Sequence, residues 1–180
     1  MATPLVLVLG GTRSGKSRFG LEQARQLAGE RPVAYLATAL PGDPELDRRI
    51  AGHRSNRPSD WPTIDVGADL AGAIRSVGDT DTILLDGLTL WLSLVGGDLA
   101  DDTHVDALLD GPIAAGLDAL RSREGAAVVV SDEIGLGIVP MNAGARAFRD
   151  LIGITHQRLA DAADEVHLLV AGLAVLLKSR

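Results

Sequence analysis

Short apolar runs recur along the 180-residue chain, each closed by a polar or glycine-rich stretch. Residues 5–9, 33–36, 82–85, 126–130 and 166–170 have the length and aliphatic content of strands buried on both faces. Residues 63–66 form a less regular candidate. Between several of these runs the apolar positions shift to helical spacing. Phe19, Ala24 and Leu27 predict a helix that Gly29 stops. Leu108, Leu109, Ile113, Leu117 and Leu120 mark one long helix. Another starts at Asn142 as N-cap and carries Phe148, Leu151, Ile152 and Leu159 on one face. The rhythm is βαβ, which predicts an α/β fold with a mostly parallel sheet flanked by helices. Residues 173–177, just after Gly172, are predicted to fold back as an antiparallel C-terminal edge strand. No linker or repeat interrupts the pattern, so residues 1–180 are read as a single domain.

The segment after the first run is Gly10-Gly11-Thr12-Arg13-Ser14-Gly15-Lys16-Ser17, which matches G-x-x-x-x-G-K-[ST]. Its glycines permit backbone angles that turn successive N–H groups toward phosphate oxygens. Lys16 is placed to reach the β- and γ-phosphates, and the Ser17 hydroxyl to ligate Mg²⁺. The next helix aims its positive dipole end at the same anion. A glycine-rich turn without a ligand would share the pattern. The strand before it and the helix after it favour a nucleotide site in a P-loop NTPase-like sheet.

Ligands in such sheets lie at the carboxyl ends of the strands, and four strand ends carry polar candidates. Asp86 follows the run at 82–85, where a carboxylate that helps hold Mg²⁺ is expected, although a capping residue in a turn would look the same. Ser131-Asp132-Glu133 follows the run at 126–130, with capping and catalysis both open; Glu133 is the possible additional site acid. Ala37-Thr38-Ala39 ends a third strand with a hydroxyl, a common feature of turns. Asp65 belongs to the irregular fourth.

Residues 43–58 are unusual in another way. Asp43 as N-cap, Pro44 in the first turn and Glu45 open a helix on which Leu46, Ile50 and His53 share the inward face. Arg48, Arg49, Arg54 and Arg57 crowd the same stretch. Positive charge around an imidazole suits a phosphate-bearing ligand and favours the neutral ring that a nucleophile needs. A helix C-terminus favours the cation instead. A solvated charged helix end with a packed histidine fits the same residues.

Composition narrows the classes. A net charge of −7 argues against a nucleic-acid partner, which needs a broad basic surface. The absence of cysteine excludes a disulfide framework and thiolate chemistry, and suits a reducing cytoplasm. The first apolar run is too short for a signal peptide. The apolar stretch at 166–177 falls short of the roughly 20 residues of a spanning helix, so no membrane anchor is expected.

With these residues laid out, the chain resembles the bifunctional adenosylcobinamide kinase / adenosylcobinamide-phosphate guanylyltransferase family of cobalamin biosynthesis. The likeness runs nearly end to end. It rests on the loop, Tyr35-Leu36-Ala37-Thr38-Ala39, Arg49-Ile50 with His53-Arg54 and Arg57-Pro58, and Leu84-Leu85-Asp86 with Leu88-Thr89-Leu90-Trp91-Leu92. It extends through Glu133-Ile134-Gly135-Leu136-Gly137-Ile138-Val139-Pro140 and Phe148-Arg149-Asp150. The His53 and Gly-Ile-Val-Pro segments are far more particular than the loop.

The resemblance implies a kinase step, in which ATP or GTP phosphorylates the aminopropanol hydroxyl of adenosylcobinamide. It also implies transfer of GMP from GTP to that phosphate through a guanylyl-histidine, which aligns with His53. Lys16 and His53 are thereby the implied catalytic residues. Nucleotide contacts would fall on Gly10 to Ser17, Ala37, Thr38, Ala39, Arg54, Ser55, Asn56, Arg57, Asp65 and Asp86, with Mg²⁺ at Ser17 and Asp86. The implied partners are the corrinoid, the nucleoside triphosphates and two further copies of the chain in a homotrimer. Asp132 and His156 each stand where the family usually has asparagine, Leu94 also replaces an asparagine, and Asp65 replaces a glutamate. Asp132 adds a negative charge near the anion site.

Overall fold

The computed structural model describes residues 4–38, 58–97, 99 and 102–179. Strands β1 (Leu5–Gly10), β2 (Val33–Ala37), β3 (Thr63–Asp65), β4 (Thr82–Asp86), β5 (Ala127–Asp132), β6 (Glu165–Val170) and β7 (Leu173–Ser179) form one sheet. Their order across it is β3-β2-β4-β5-β1-β6-β7. All neighbours pair in parallel except β6 with β7, which are antiparallel. The expected α/β sheet and its antiparallel edge strand are both present.

The helices are α1 (Lys16–Ala28), α2 (Leu70–Ser76), α3 (Leu88–Gly96), α4 (Asp102–Leu108), α5 (Ala114–Arg121) and α6 (Ala143–Ala162). They cover both faces of the sheet, which is why its central strands are continuously apolar rather than alternating. Val6, Val8, Leu84, Val128 and Val130 face α1, through Ala24, Ala28 and Phe19. Leu7, Leu85 and Val129 belong to the larger core on the other face, with Ile74, Trp91, Leu120, Leu151 and Ile152. Close approach matters on the α1 side: a Cβ at Gly20 would lie 2.5 Å from Val130 Cγ2.

The single helix expected across Leu108 to Leu120 is interrupted. A π-helical turn, Leu109–Ile113, joins α4 to α5. Pro112 lies inside it and has no N–H to donate, so the wider turn accommodates the missing bond. By contrast, Asn142 caps α6 as expected, its side chain accepting from the Ala145 N–H at 3.0 Å. Val170 pairs with Leu173, so β6 and β7 are joined by the two residues Ala171 and Gly172. Both have positive φ, 52° and 81°, the hairpin geometry that follows strand twist. Among the described residues, no helix is long and apolar enough to cross a membrane.

Candidate active site

The loop between β1 and α1 is held by backbone conformation and by its neighbours. Arg13 and Gly15 take left-handed angles, with φ of 58° and 95°. Ser14 N–H donates to the Gly11 carbonyl at 3.2 Å, and Phe19 N–H to the Gly15 carbonyl at 3.0 Å. At Gly10 a Cβ would collide with the Ser14 side chain and come within 2.9 Å of the Leu169 carbonyl. The hairpin between β6 and β7 braces the loop from outside, Gly172 N–H donating to the Ser14 carbonyl at 2.9 Å. No acidic residue stands in the first turn of α1, so its positive end is uncompensated from within the helix. The buried Ser14 Oγ has no hydrogen-bond partner among the described residues.

Lys16 and Ser17, the first two residues of α1, each meet a strand-end carboxylate. Ser17 Oγ donates to Asp86 Oδ1 at 3.2 Å. Asp86 Oδ2 also accepts from the Tyr35 hydroxyl at 3.4 Å. A hydroxyl and a carboxylate side by side at the loop are hard oxygen donors of the kind Mg²⁺ takes together with substrate phosphate. Lys16 Nζ lies 2.5 Å from Asp132 Oδ1 and 3.3 Å from the Gly11 carbonyl. Asp132 is the last residue of β5 and pairs in register with Gly10, so it belongs to the sheet rather than to a capping turn.

The other expected residues divide by position. Register aligns Ala37 with both Asp86 and Asp65. The Thr38 hydroxyl donates to the Gly87 carbonyl at 2.8 Å, tying the end of β2 to the turn before α3. Asp65 is exposed on edge strand β3, four strands from Gly10, or about 19 Å at the usual strand spacing. The sheet thus does not bring Asp65 to the loop. Ala39, His53, Arg54, Ser55, Asn56 and Arg57, with the helix expected from Asp43, lie outside the described residues.

A polar cluster behind Asp132 escaped sequence reasoning as a unit. His156 Nε2 lies 2.8 Å from Ser131 Oγ, which lies 3.0 Å from Thr89 Oγ1. Thr89 Oγ1 in turn accepts from the Asp132 N–H at 2.9 Å. Glu133 Oε2 stands 3.7 Å from His156 Nδ1, while its Oε1 accepts from the Gly135 N–H. Burial pushes the His156 pKa below its ordinary value, with Glu133 and then Asp132 pulling the other way. The imidazole is therefore neutral at pH 7. Thr89 and Ser131 are too common as residue types to be singled out, and His156 sits among the apolar spacings of α6. The brace from Gly172 left no sequence signal at all.

Comparison with known proteins places this chain in a family. The family model described as "Cobinamide kinase / cobinamide phosphate guanyltransferase" matches residues 6–177. The bifunctional adenosylcobalamin biosynthesis protein CobP of Pseudomonas aeruginosa is 43% identical over 96% of this chain and 96% of its own length. Its counterpart CobU of Salmonella typhimurium is 38% identical over 97% of this chain and 99% of its own. Among solved structures, an ATPase domain aligns with a TM-score of 0.56 at 16% identity, covering 99% of this chain and 78% of that one. The flagellar accessory protein FlaH of Methanocaldococcus jannaschii aligns at 0.52 and 14%, covering 99% and 80%. Those two likenesses speak to the fold alone. The chain belongs to the cobinamide kinase / cobinamide phosphate guanyltransferase family.

Proposed function

We propose that this single-domain chain catalyses two consecutive transfers onto a corrinoid. A nucleoside triphosphate, ATP or GTP, first phosphorylates the aminopropanol hydroxyl of adenosylcobinamide. GTP then donates GMP to that phosphate, giving adenosylcobinamide-GDP and pyrophosphate. The observation that carries the reading is the convergence of Lys16, Ser17 and Asp86 on one loop at the carboxyl ends of β1 and β4, in a chain of this family.

In the kinase step the loop N–H groups and the α1 terminus hold the phosphates. The Lys16 ammonium offsets charge on the transferred group. Ser17 and Asp86 would hold Mg²⁺, which when bound supplies further charge neutralisation at the phosphates. In the guanylyl step a neutral nitrogen of His53 attacks the α-phosphorus of GTP. The bond to pyrophosphate breaks, a phosphoramidate forms and the ring's one N–H proton passes to solvent, to be regained when the imidazole leaves. A phosphate oxygen of the corrinoid then displaces the imidazole. Using histidine replaces one encounter between two anions by two displacements, the first with a neutral nucleophile. Arg54 and Arg57 offset charge on the α-phosphate and the leaving pyrophosphate. The chain acts as a homotrimer in the cytoplasm.

Intact-mass measurement after incubation with GTP and Mg²⁺ tests the covalent step. One guanylyl group is expected on the wild type and none on His53→Ala, which retains corrinoid phosphorylation. Absence of the adduct, or its persistence in His53→Ala, overturns the guanylyl half and leaves a single-activity kinase. Nucleotide binding with no turnover of corrinoid at all would leave a nucleotide-dependent switch.

A further inference from the structure

Lys16, the loop residue that would face the terminal phosphates, already has an anionic partner. Its ammonium lies 2.5 Å from Asp132 Oδ1, with the two side chains 13% and 33% exposed. The fold holds both ends of this pair. Lys16 opens α1, while Asp132 closes β5 in register with Gly10. The Asp132 N–H donates to Thr89 Oγ1, and Ser131 beside it is held between Thr89 and the buried His156. On the other side, Glu133 N–H donates to the Gly10 carbonyl at 3.0 Å. The backbone that carries this carboxylate is fixed by the sheet and by the Thr89 and Ser131 hydroxyls, so the carboxylate starts from a fixed point beside Lys16. Partial burial also limits screening by salt.

A phosphate that approaches Lys16 meets this carboxylate at close range. It must displace Asp132 from the ammonium or share the ammonium with a second anion, and either lowers the net gain from binding. A phosphate chain too short to reach Lys16 leaves the pair intact and feels a nearly neutral couple.

We propose that Asp132 is the resident counter-ion of Lys16: it competes with the terminal phosphates, weakens nucleotide binding the more phosphates reach the lysine, and re-pairs with Lys16 when a polyphosphate product leaves. The inference rests on the reading that the loop holds the triphosphate, and it assigns Asp132 the setting of affinity at that site.

The test is a set of dissociation constants for GTP, GDP and GMP, measured with Mg²⁺ on the full chain by calorimetry. The GTP is its α,β-methylene analogue, so that no guanylyl group passes to His53 during the titration. Asp132→Asn keeps the side chain's volume and removes its charge. It is expected to tighten GTP about tenfold, GDP less, and GMP by less than about twofold. Asp132→Glu, which keeps the charge, should restore weak GTP binding. In a Lys16→Met background the effect of Asp132→Asn on GTP should shrink below about twofold, because the coupling runs through the ammonium. Equal tightening of all three nucleotides, or full tightening without Lys16, would mean a diffuse field effect and overturn the proposal. Unchanged or weakened GTP binding in Asp132→Asn overturns it as well. If Asp132→Asn does not fold, Asp132→Ser makes the same measurement. GTP binding lost in Lys16→Met yet untouched by Asp132→Asn sinks this inference alone. A wild type that binds no GTP sinks the nucleotide reading and this inference together.

Discussion

β4 and β5 run side by side and each ends on an aspartate, yet Asp86 and Asp132 meet different groups of the same loop. Asp86 accepts a hydroxyl hydrogen bond from Ser17, and a divalent cation entering there would find both oxygens together with the phosphate. Asp132 faces the Lys16 ammonium, which the phosphate itself seeks. One carboxylate assists the anion through a shared cation, and the other contends with it for a cation already present. Register creates the difference. Asp86 is level with Val130, so β5 runs two residues further, about 6.6 Å, and carries Asp132 out to the lysine. Residue type and strand position do not assign a role until the partner across the gap is known.

The comparison can be broken most severely at Lys16, the group for which Asp132 and the phosphates compete. Lys16→Met is expected to lower corrinoid phosphorylation at least about a hundredfold, since it removes a cation from charge developing on the phosphoryl group. Its circular-dichroism melt should stay close to the wild type. Survival of turnover would place phosphate stabilisation elsewhere.

Asp86→Asn sharpens the contrast next. Turnover should fall by about tenfold or more, and the Mg²⁺ concentration for half-maximal rate should rise, whereas Asp132→Asn leaves the Mg²⁺ requirement unchanged. A Mg²⁺ titration that shifts equally in both variants would erase the distinction between the two strand ends.

His156 braces the Asp132 side alone and supplies a pH-dependent prediction. Burial holds its folded-state pKa below the ordinary value of about 6.5, so the unfolded chain takes up the proton first as pH falls. The associated stability is complete above pH of about 6.5 and is lost as pH drops below it. Between pH of about 7.5 and about 5.5 the urea midpoint of the wild type should fall further than that of His156→Asn. Parallel loss in both proteins would show that other groups govern the acid side.

The smallest effect belongs to Tyr35, whose hydroxyl reaches Asp86 across a long 3.4 Å. Tyr35→Phe should cost less than about 1 kcal/mol of stability in urea denaturation, with at most a few-fold change in Mg²⁺ dependence.

Much of this architecture was legible in the chain because it depends on short-range physics. The loop from Gly10 to Ser17 needs left-handed backbone at fixed offsets. The Asn142 cap needs one side chain three residues from an N–H, and strands covered on both faces need only an uninterrupted aliphatic run. Asp86 at the close of β4 was visible on the same terms. The broken helix around Pro112 was also present in the residues, since proline in a helix interior leaves a bond unmade.

The tertiary structure decided which of these pieces touch. β1 lies between β5 and β6, strands that arrive much later in the chain, and no local preference carries that order. Strand order is what gives Lys16 an aspartate from β5, sets Ser131 between Thr89 of α3 and His156 of α6, and leans Gly172 on the loop. It also leaves Asp65 at the far edge of the sheet. The sequence alone determined that a phosphate-binding loop would form, because backbone sterics act within a few residues. Whether its lysine waits free or already paired depended on crossover connections and a two-residue register, which exist only once the sheet has assembled.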